Sequence, residues 1–565
     1  MKEVTKLTII SDFNVEQLVG YFNNDTSLPE IQATGIGFGD PVGAMISVLQ
    51  ELSDDAQNLL IWTLPESASN SFYEARKMTP YDPVNVIKDV EIFCDIVKKL
   101  SAQVNSIFVC NWKIPVIEQG YGMLDLKEGI GLRSLIHEMN GVLYKKLSSL
   151  SNLFLLDTDL YISPYKISSQ MWYLAKVPFE LGVLRNLMQL VKGCIRRTLG
   201  ETKKLIVCDL DDTLWGGILG DYGSDNLKLG GHDPEGEAFK DFQLVLKGLR
   251  AKGILLAIIS KNTEKVALEA IISHPEMVLR LDDFAGWRIN WSDKAANLSS
   301  LVKEINIGMD SVVFLDDNPS ERARVKEAFP QVLVPELPQN VMDYPQFLKG
   351  LDCFDSPSVS LEDRKRTELY HAERNRKDEL TRLDEKFLSL DDWLKALDLQ
   401  VVVEPLLDSN KVRASQLFNK TNQMNLSTRR MNEKSLVEWA INDNIEVFVI
   451  HVSDKFGDYG LTGFASIEFE GTQACLIDFI LSCRVIGKGV EKTILHIASI
   501  ISQKRGAVVM TAEFIETPKN LPCLEFFKKS KMENHNSKNT FEWNLNNAYP
   551  KPENIKIQMD LNDGT

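Results

Sequence analysis

The sequence predicts an α/β chain of three domains, and three observations carry that expectation. Its 565 residues exceed what one core fills, at roughly 100–200 residues per domain. Three apolar runs, 205–207, 254–259 and 312–315, each end in polar residues and alternate with helical segments. That is the pattern of a parallel sheet with functional groups at its carboxyl ends. A charged stretch, 355–397, then precedes a last unit with strand-like runs of its own. The expected boundaries are 1–200, 201–354, a charged linker helix over 355–397, and 398–548.

Bulk composition narrows the partners. Hydrophobic residues make up 44% and charged residues 25% of the chain, ordinary values for domains that each bury a core. A net charge of −16 excludes nucleic acid and anionic membrane as main partners, because both need a basic footprint. Small anionic substrates respond to local charge and stay open. The first ten residues lack the long apolar core of a secretory signal. No stretch approaches the roughly 20 apolar residues of a membrane span. Eight cysteines without C-x-x-C spacing argue against a disulfide scaffold or zinc site and for a reducing cytoplasm.

In the first 200 residues, runs 59–64, 106–111 and 153–157 read as buried strands, and 84–100 and 184–199 as helices. The last unit has strand-like runs at 399–403, 446–452, 463–468, 475–481 and 507–514. The tail from Tyr549 reads as loose.

The central unit carries chemistry. Asp209-Leu210-Asp211-Asp212-Thr213 follows an apolar strand directly. Where the backbone turns past a strand end, both carboxylates of a D-x-D pair can converge. They repel unless a cation neutralises them, and a hard ion such as Mg2+ favours their oxygens. One carboxylate then attacks phosphorus, and the other supplies a proton to the leaving oxygen. Asp209 is the expected nucleophile and Asp211 the acid/base. Ser260 can donate to a phosphate, Lys294 can neutralise developing charge, and Asp316 and Asp317 complete the expected metal set with Asp209 and Asp211. Thr213, Lys261 and Asn262 join the expected phosphate contacts. These four elements in this order resemble the haloacid-dehalogenase superfamily, with its Rossmann-like central domain.

A closer resemblance lies in Trp215-Gly216-Gly217-Ile218-Leu219-Gly220-Asp221, in His274-Pro275-Glu276-Met277-Val278-Leu279, in 416–425 and in Ser482-Cys483-Arg484-Val485-Ile486-Gly487-Lys488-Gly489. These are similar to the FkbH family, whose members form glyceryl-acyl-carrier-protein in polyketide-type pathways. The resemblance implies 1,3-bisphosphoglycerate as substrate, and a glyceryl group passed through a cysteine to the phosphopantetheine thiol of a holo acyl carrier protein. It also implies an SGNH-hydrolase-like α/β domain at the front.

Arg484-Val485-Ile486-Gly487-Lys488-Gly489 fits the R-x-x-G-x-G loop of the GNAT acetyltransferase fold, an α+β domain. Glycines there let backbone N–H groups approach a phosphate at a helix N-terminus. Arg484, Gly487, Lys488 and Gly489 are therefore the expected phosphopantetheine or coenzyme A contacts. Cys483, just before the loop, is either the acyl-carrying thiol or a structural cysteine. Cys208 competes, but strand alternation turns it away from Asp209. His451 and Tyr459 are weaker acid/base candidates. At the front, Ser11 follows a short strand. The only histidine before residue 200, His137, lacks the D-x-x-H setting, so Ser11 reads as a turn residue and this domain as degenerate. Rival readings are a plain phosphatase on a soluble metabolite with inert flanking domains, a non-catalytic scaffold, and N-acyl transfer onto an amine.

Overall fold

The computed structural model describes residues 4–51, 57–113, 120–158, 168–356, 367, 395, 397–455, 457–517, 519–535 and 539–560. The expected linker helix over 355–397 lies almost wholly outside the described residues. The chain divides into two compact units, Met1–Thr198 and Leu199–Thr565.

The first unit is built on five strands: β1 (Thr5–Ile10), β2 (Ile31–Ile36), β3 (Gln57–Ile61), β4 (Ser106–Cys110) and β5 (Leu153–Leu156). They pair in the order β2-β1-β3-β4-β5, and every ladder is parallel. Helices cover both faces, which is why the strands read as continuous apolar runs. Ile10, Ile61 and Val109 pack on one side, and Ile9, Leu60 and Phe108 on the other. The helix Leu181–Thr198 supplies Leu184, Leu187, Val191 and Ile195 to that second face.

In the second unit, four strands form a parallel sheet: β6 (Leu205–Cys208), β7 (Leu255–Ser260), β8 (Phe284–Ile289) and β9 (Val312–Leu315). Their order is β8-β7-β6-β9. The chain steps outward from β6 to β8, then returns to place β9 on the other side of β6. That reversal makes a crevice at the carboxyl ends of β6 and β9. Strand β8 was not among the expected runs. Gly286 and Arg288 break its apolar pattern, and a Cβ at Gly286 would come within 3.0 Å of Leu301 Cδ1.

A second sheet holds β10 (Leu399–Pro405), β11 (Met424–Asn425), β12 (Ile445–Asp454), β13 (Gly457–Glu470), β14 (Gln473–Leu481), β15 (Val509–Glu513), β16 (Glu533–His535), β17 (Thr540–Asn544) and β18 (Ile555–Met559). Strands β10, β12, β13 and β14 are antiparallel neighbours. Strand β15 then runs parallel to β14, joined to it through the helix Val490–Lys504. The tail is not loose. Tyr549 is buried, and β18 pairs parallel with β10.

Asp478, on β14, is fully buried. Its oxygens accept from Ser427 Oγ at 3.0 Å, Ser466 Oγ at 2.6 Å and Arg429 Nε at 3.1 Å. Removing Asp478 leaves the buried Ser427 and Ser466 hydroxyls without an acceptor, while Arg429, 32% exposed, can still reach water. Asp478→Ala is therefore expected to destabilise the second unit by about 1–3 kcal/mol. Urea unfolding followed by circular dichroism checks this, and a loss under about 1 kcal/mol would show that the two hydroxyls find other acceptors.

Candidate active site

Asp209 sits one residue past β6, and its backbone N–H donates to Leu315 O at 2.9 Å. That bond ties Asp209 to the end of β9, across the crevice. Asp316, one residue past β9, is fully buried. Lys294 begins the helix Lys294–Ile305, which Asp293 caps. Its ammonium lies 2.6 Å from Asp209 Oδ2 and 2.6 Å from Asp316 Oδ2. Three residues from separate parts of the chain thus meet at the switch point.

Electrostatics follow from that packing. Burial alone would lower the Lys294 pKa, but Asp209 and Asp316 together raise it, so the ammonium stays charged. Burial and the neighbouring Asp209 push Asp316 up. Burial, Asp209 and Asp212 do the same to Asp317. Asp209, Asp316 and Asp317 each offer an oxygen within 4.8 Å of the others. Three carboxylates around one ammonium carry a surplus of negative charge, and a divalent cation bound by oxygens is the group that removes it. The donor set fits Mg2+.

The Asp211 carboxylate, although Asp211 is among the expected metal ligands, is not part of that side-chain group. Its Oδ1 accepts from Trp215 Nε1 at 2.9 Å and Leu219 N at 3.2 Å, and its Oδ2 from Asn262 Nδ2 at 3.2 Å. These donors turn the carboxylate away from Asp209, Asp316 and Asp317. Burial raises its pKa against the lowering effect of the Trp215 and Leu219 hydrogen bonds. A carboxyl held this way retains its proton to higher pH than a free aspartate, as an acid/base group requires.

Other expected residues divide. Thr213 is buried; its Oγ1 accepts from Asp317 N at 3.2 Å. Ser260 ends β7, buried beside the crevice. Lys261 differs from expectation, because its ammonium pairs with Glu321 Oε1 at 2.6 Å. Arg322 carried no sequence signal, yet its Nη1 donates to the carbonyls of Asp316 and Asp317 at 2.8 and 2.6 Å. Trp215 belongs to the segment that resembles the family, and its indole donates to Asp211. Its spacing of four from Asp211 was the clue to its role.

Among solved structures, this chain is similar to the N-terminal part of the protein BF1531 from Bacteroides fragilis, which contains a phosphatase domain and was crystallised with Mg. The two share 28% identity and a TM-score of 0.56, over 63% of this chain and 95% of that one. Smaller likenesses are to the PaiA N-acetyltransferase of Thermoplasma acidophilum with coenzyme A (14% identity, 26% of this chain and 98% of that one, TM-score 0.21). A ribosomal-protein-S18-alanine N-acetyltransferase from Escherichia coli matches similarly (11%, 27% and 97%, 0.20). No family model and no curated protein matches the sequence.

The remaining expected residues lie in the second sheet. Gly487 and Gly489 take φ of +81° and +89°, conformations that favour glycine. The loop's anion-facing donors already have an acceptor. Gly487 N donates to Glu491 Oε1 at 2.5 Å. Burial raises the Glu491 pKa, and N–H groups of Gly487, Glu491 and Gly489 oppose that rise. Lys488 is buried, with its ammonium 3.1 Å from Tyr459 Oη. Tyr459 in turn donates to Asp454 Oδ2 at 2.7 Å, and His451 lies 3.4 Å from Glu404.

Cys483 is half-buried, and its carbonyl accepts from Asn306 Nδ2 at 2.7 Å. It lines a cleft with Lys204, Leu255 and Ser311, at the amino ends of β6, β7 and β9. Asp209 is past the carboxyl end of β6, five residues along the strand from Lys204 and so roughly 16 Å from it. The structure does not bring Cys483 and Asp209 together. Cys208 is buried in the core, and that burial drives its thiol pKa far up. In the first unit, Ser11 is buried and its Oγ accepts from Phe13 N at 3.3 Å, the bond of a turn residue. His137 is exposed on the helix Leu132–Leu147.

If the carboxylate cluster takes Mg2+, the ion is expected to stabilise the fold. At a concentration one hundred times Kd the gain is about 2.7 kcal/mol, read as a rise in Tm by scanning calorimetry. Asp316→Asn should remove most of the rise. An equal rise in that variant would place the ion elsewhere.

Proposed function

We propose that the protein is a magnesium-dependent phosphatase with aspartyl chemistry at Asp209. The observation that carries this reading is Lys294 Nζ, 2.6 Å from both Asp209 and Asp316, with Asp211 held separately. When bound, Mg2+ supplies charge neutralisation at the phosphoryl oxygens and at the cluster. Asp209, Asp316 and Asp317 would hold it. Asp209 attacks phosphorus, and the ester oxygen leaves with the proton of Asp211. Asp211, now a carboxylate, takes a proton from the water that releases phosphate and restores Asp209. Lys294 offsets charge on the nucleophile throughout.

The finer reading is that of a glyceryl transferase. The substrate is 1,3-bisphosphoglycerate. Its ester phosphate is hydrolysed at Asp209. Its acyl phosphate meets a thiol, with loss of phosphate and formation of a thioester, and the glyceryl group ends on the phosphopantetheine thiol of an acyl carrier protein. The support is the likeness of 482–489 and 416–425 to the FkbH family, together with a half-buried Cys483 in an open cleft. One observation favours a second reading, a phosphatase on a soluble phosphometabolite with flanking domains that carry no chemistry. Glu491 occupies the glycine loop that the acyl-carrier reading assigned to phosphopantetheine.

Phosphate release from 1,3-bisphosphoglycerate with Mg2+, together with intact mass spectrometry of a holo carrier protein, separates the two. A glyceryl mass gain on the carrier supports the transferase, and phosphate without it supports the phosphatase. Asp209→Asn should abolish phosphate release at the ester, and full activity in that variant would sink both. Asp211→Asn should cost about 10²–10⁴-fold in rate. Because Asp211 must be protonated to act as the acid, and its pKa is raised, the wild-type rate should fall as pH rises through that raised value. A pH–rate profile whose alkaline limb survives in Asp211→Asn would assign the limb to another group.

A further inference from the structure

Beside the crevice, one buried side chain carries a polar group that the fold does not use. Tyr344 opens the helix Tyr344–Gly350 and is only 5% exposed. Its ring meets Phe239 and Phe242 edge-on, at centroid distances of 6.1 and 5.6 Å. Both phenylalanines lie on the helix Pro234–Ala251, which is fixed to the loop after β6. Gln243 Nε2 of that helix donates to Leu214 O at 2.8 Å. Phe239 lies so close to Gly216 that a Cβ there would come within 2.7 Å of its Cε2. The Tyr344 ring is therefore held beside the loop that carries Asp211 and Asp212.

Among the described residues, no hydrogen bond reaches the Tyr344 hydroxyl. Packing against two phenylalanines would be served as well by a third. A buried tyrosine usually finds a partner for its O–H, because an unpaired polar group costs desolvation. The hydroxyl calls for an acceptor from outside the fold.

The surroundings say what kind. Burial pushes the Tyr344 pKa up to about 12; Asp317 and Asp212 add to that rise, and Arg322 opposes it. The phenol thus looks onto the carboxylates at the crevice and keeps its proton at neutral pH. Asp212 is fixed on the rim: its backbone has a φ of +50°, and its Oδ1 accepts from Gly217 N at 2.7 Å. Arg322 directs its Nη1 to the carbonyls of Asp316 and Asp317. An anionic group entering here would meet Asp212 and Asp317 and be repelled. An alcohol hydroxyl suits both neighbours, since it accepts from the phenol and donates to a carboxylate at once.

We propose that Tyr344 is a specificity-determining residue of the Asp209 site, and that its O–H donates to a hydroxyl on the stem of the phosphate ester. The preferred substrates are then esters of hydroxylated stems over esters of bare alkyl stems. The inference rests on the phosphatase reading, which places the phosphate at Asp209.

Calorimetry on the full-length protein with Mg2+ tests this with two stable phosphonates, 3,4-dihydroxybutylphosphonate and butylphosphonate, which differ only in the stem hydroxyls. The dihydroxy compound should bind at least about tenfold more tightly. Tyr344→Phe should weaken the dihydroxy compound to the level of butylphosphonate and leave butylphosphonate unchanged. The Tm of that variant should equal or exceed the parent's, because the hydroxyl it removes has no partner to lose. Equal affinities in the parent, a preference that survives Tyr344→Phe, or no heat with either probe at millimolar concentration would each overturn the proposal. So would a lower Tm in Tyr344→Phe, which would reveal a partner for the hydroxyl within the protein. Failure of the phosphatase reading is seen separately, as the stated binding preference without phosphate release from glycerol 3-phosphate by the parent. That result would uphold recognition by Tyr344 and sink the hydrolytic reading alone.

Discussion

The second unit turns on one buried ammonium. Lys294 stands between Asp209 and Asp316, almost fully out of water. Burying a charge is costly unless partners compensate it closely, and here each group is the other's compensation. Two carboxylates at the ends of adjacent strands would otherwise repel across the crevice. The ammonium holds them together across the crevice. Because the helix Lys294–Ile305 starts with that lysine, packing of the helix on the sheet sets the position of the charge. In the phosphatase reading, stability and chemistry would depend on the same contact.

The sheet also acts as a divider. Strand β6 has Asp209 just past one end and Lys204 just before the other. Between them lie buried side chains of both core faces, such as Ile206 and Val207. A group released at Asp209 cannot reach Cys483 through the sheet. Any chemistry that uses both edges must carry its intermediate around the outside, on an arm or free in solution. In the glyceryl-transfer reading, the two phosphates of the substrate would then be handled at different times, with a transit between them.

Much of this was legible in the sequence because the informative residues follow apolar runs. Asp209, Ser260 and Asp316 are found by noting what comes at the end of a buried strand. Lys294 needed the family pattern, since its meaning comes from contacts 85 and 22 residues away. What failed was side-chain direction. Nothing local says that Asp211 faces Trp215 and Asn262, or that Lys261 faces Glu321, 60 residues on. Strand β8 was hidden by Gly286, which is there to let the helix of Leu301 approach. The tail looked loose because the residues before β18 are rich in proline and asparagine, while β18 is only five residues long. A short edge strand takes its stability from the neighbour it joins, here β10, and leaves little trace of its own.

The glycine loop shows why a motif fixes backbone shape and leaves the ligand open. Residues 484–489 adopt the two left-handed turns that their glycines allow, and the loop does open a helix. A helix N-terminus with free N–H groups attracts an anion, whatever its source. Here Glu491, in the first helical turn, supplies one from four residues beyond Gly487. Burial raises the proton affinity of this carboxylate, and the loop's N–H groups work against that rise. To bind there, a phosphate would have to displace a side chain already tethered to the loop, and the tether gives that side chain a high effective concentration. An acidic residue at this position therefore argues for an internal cap of the loop.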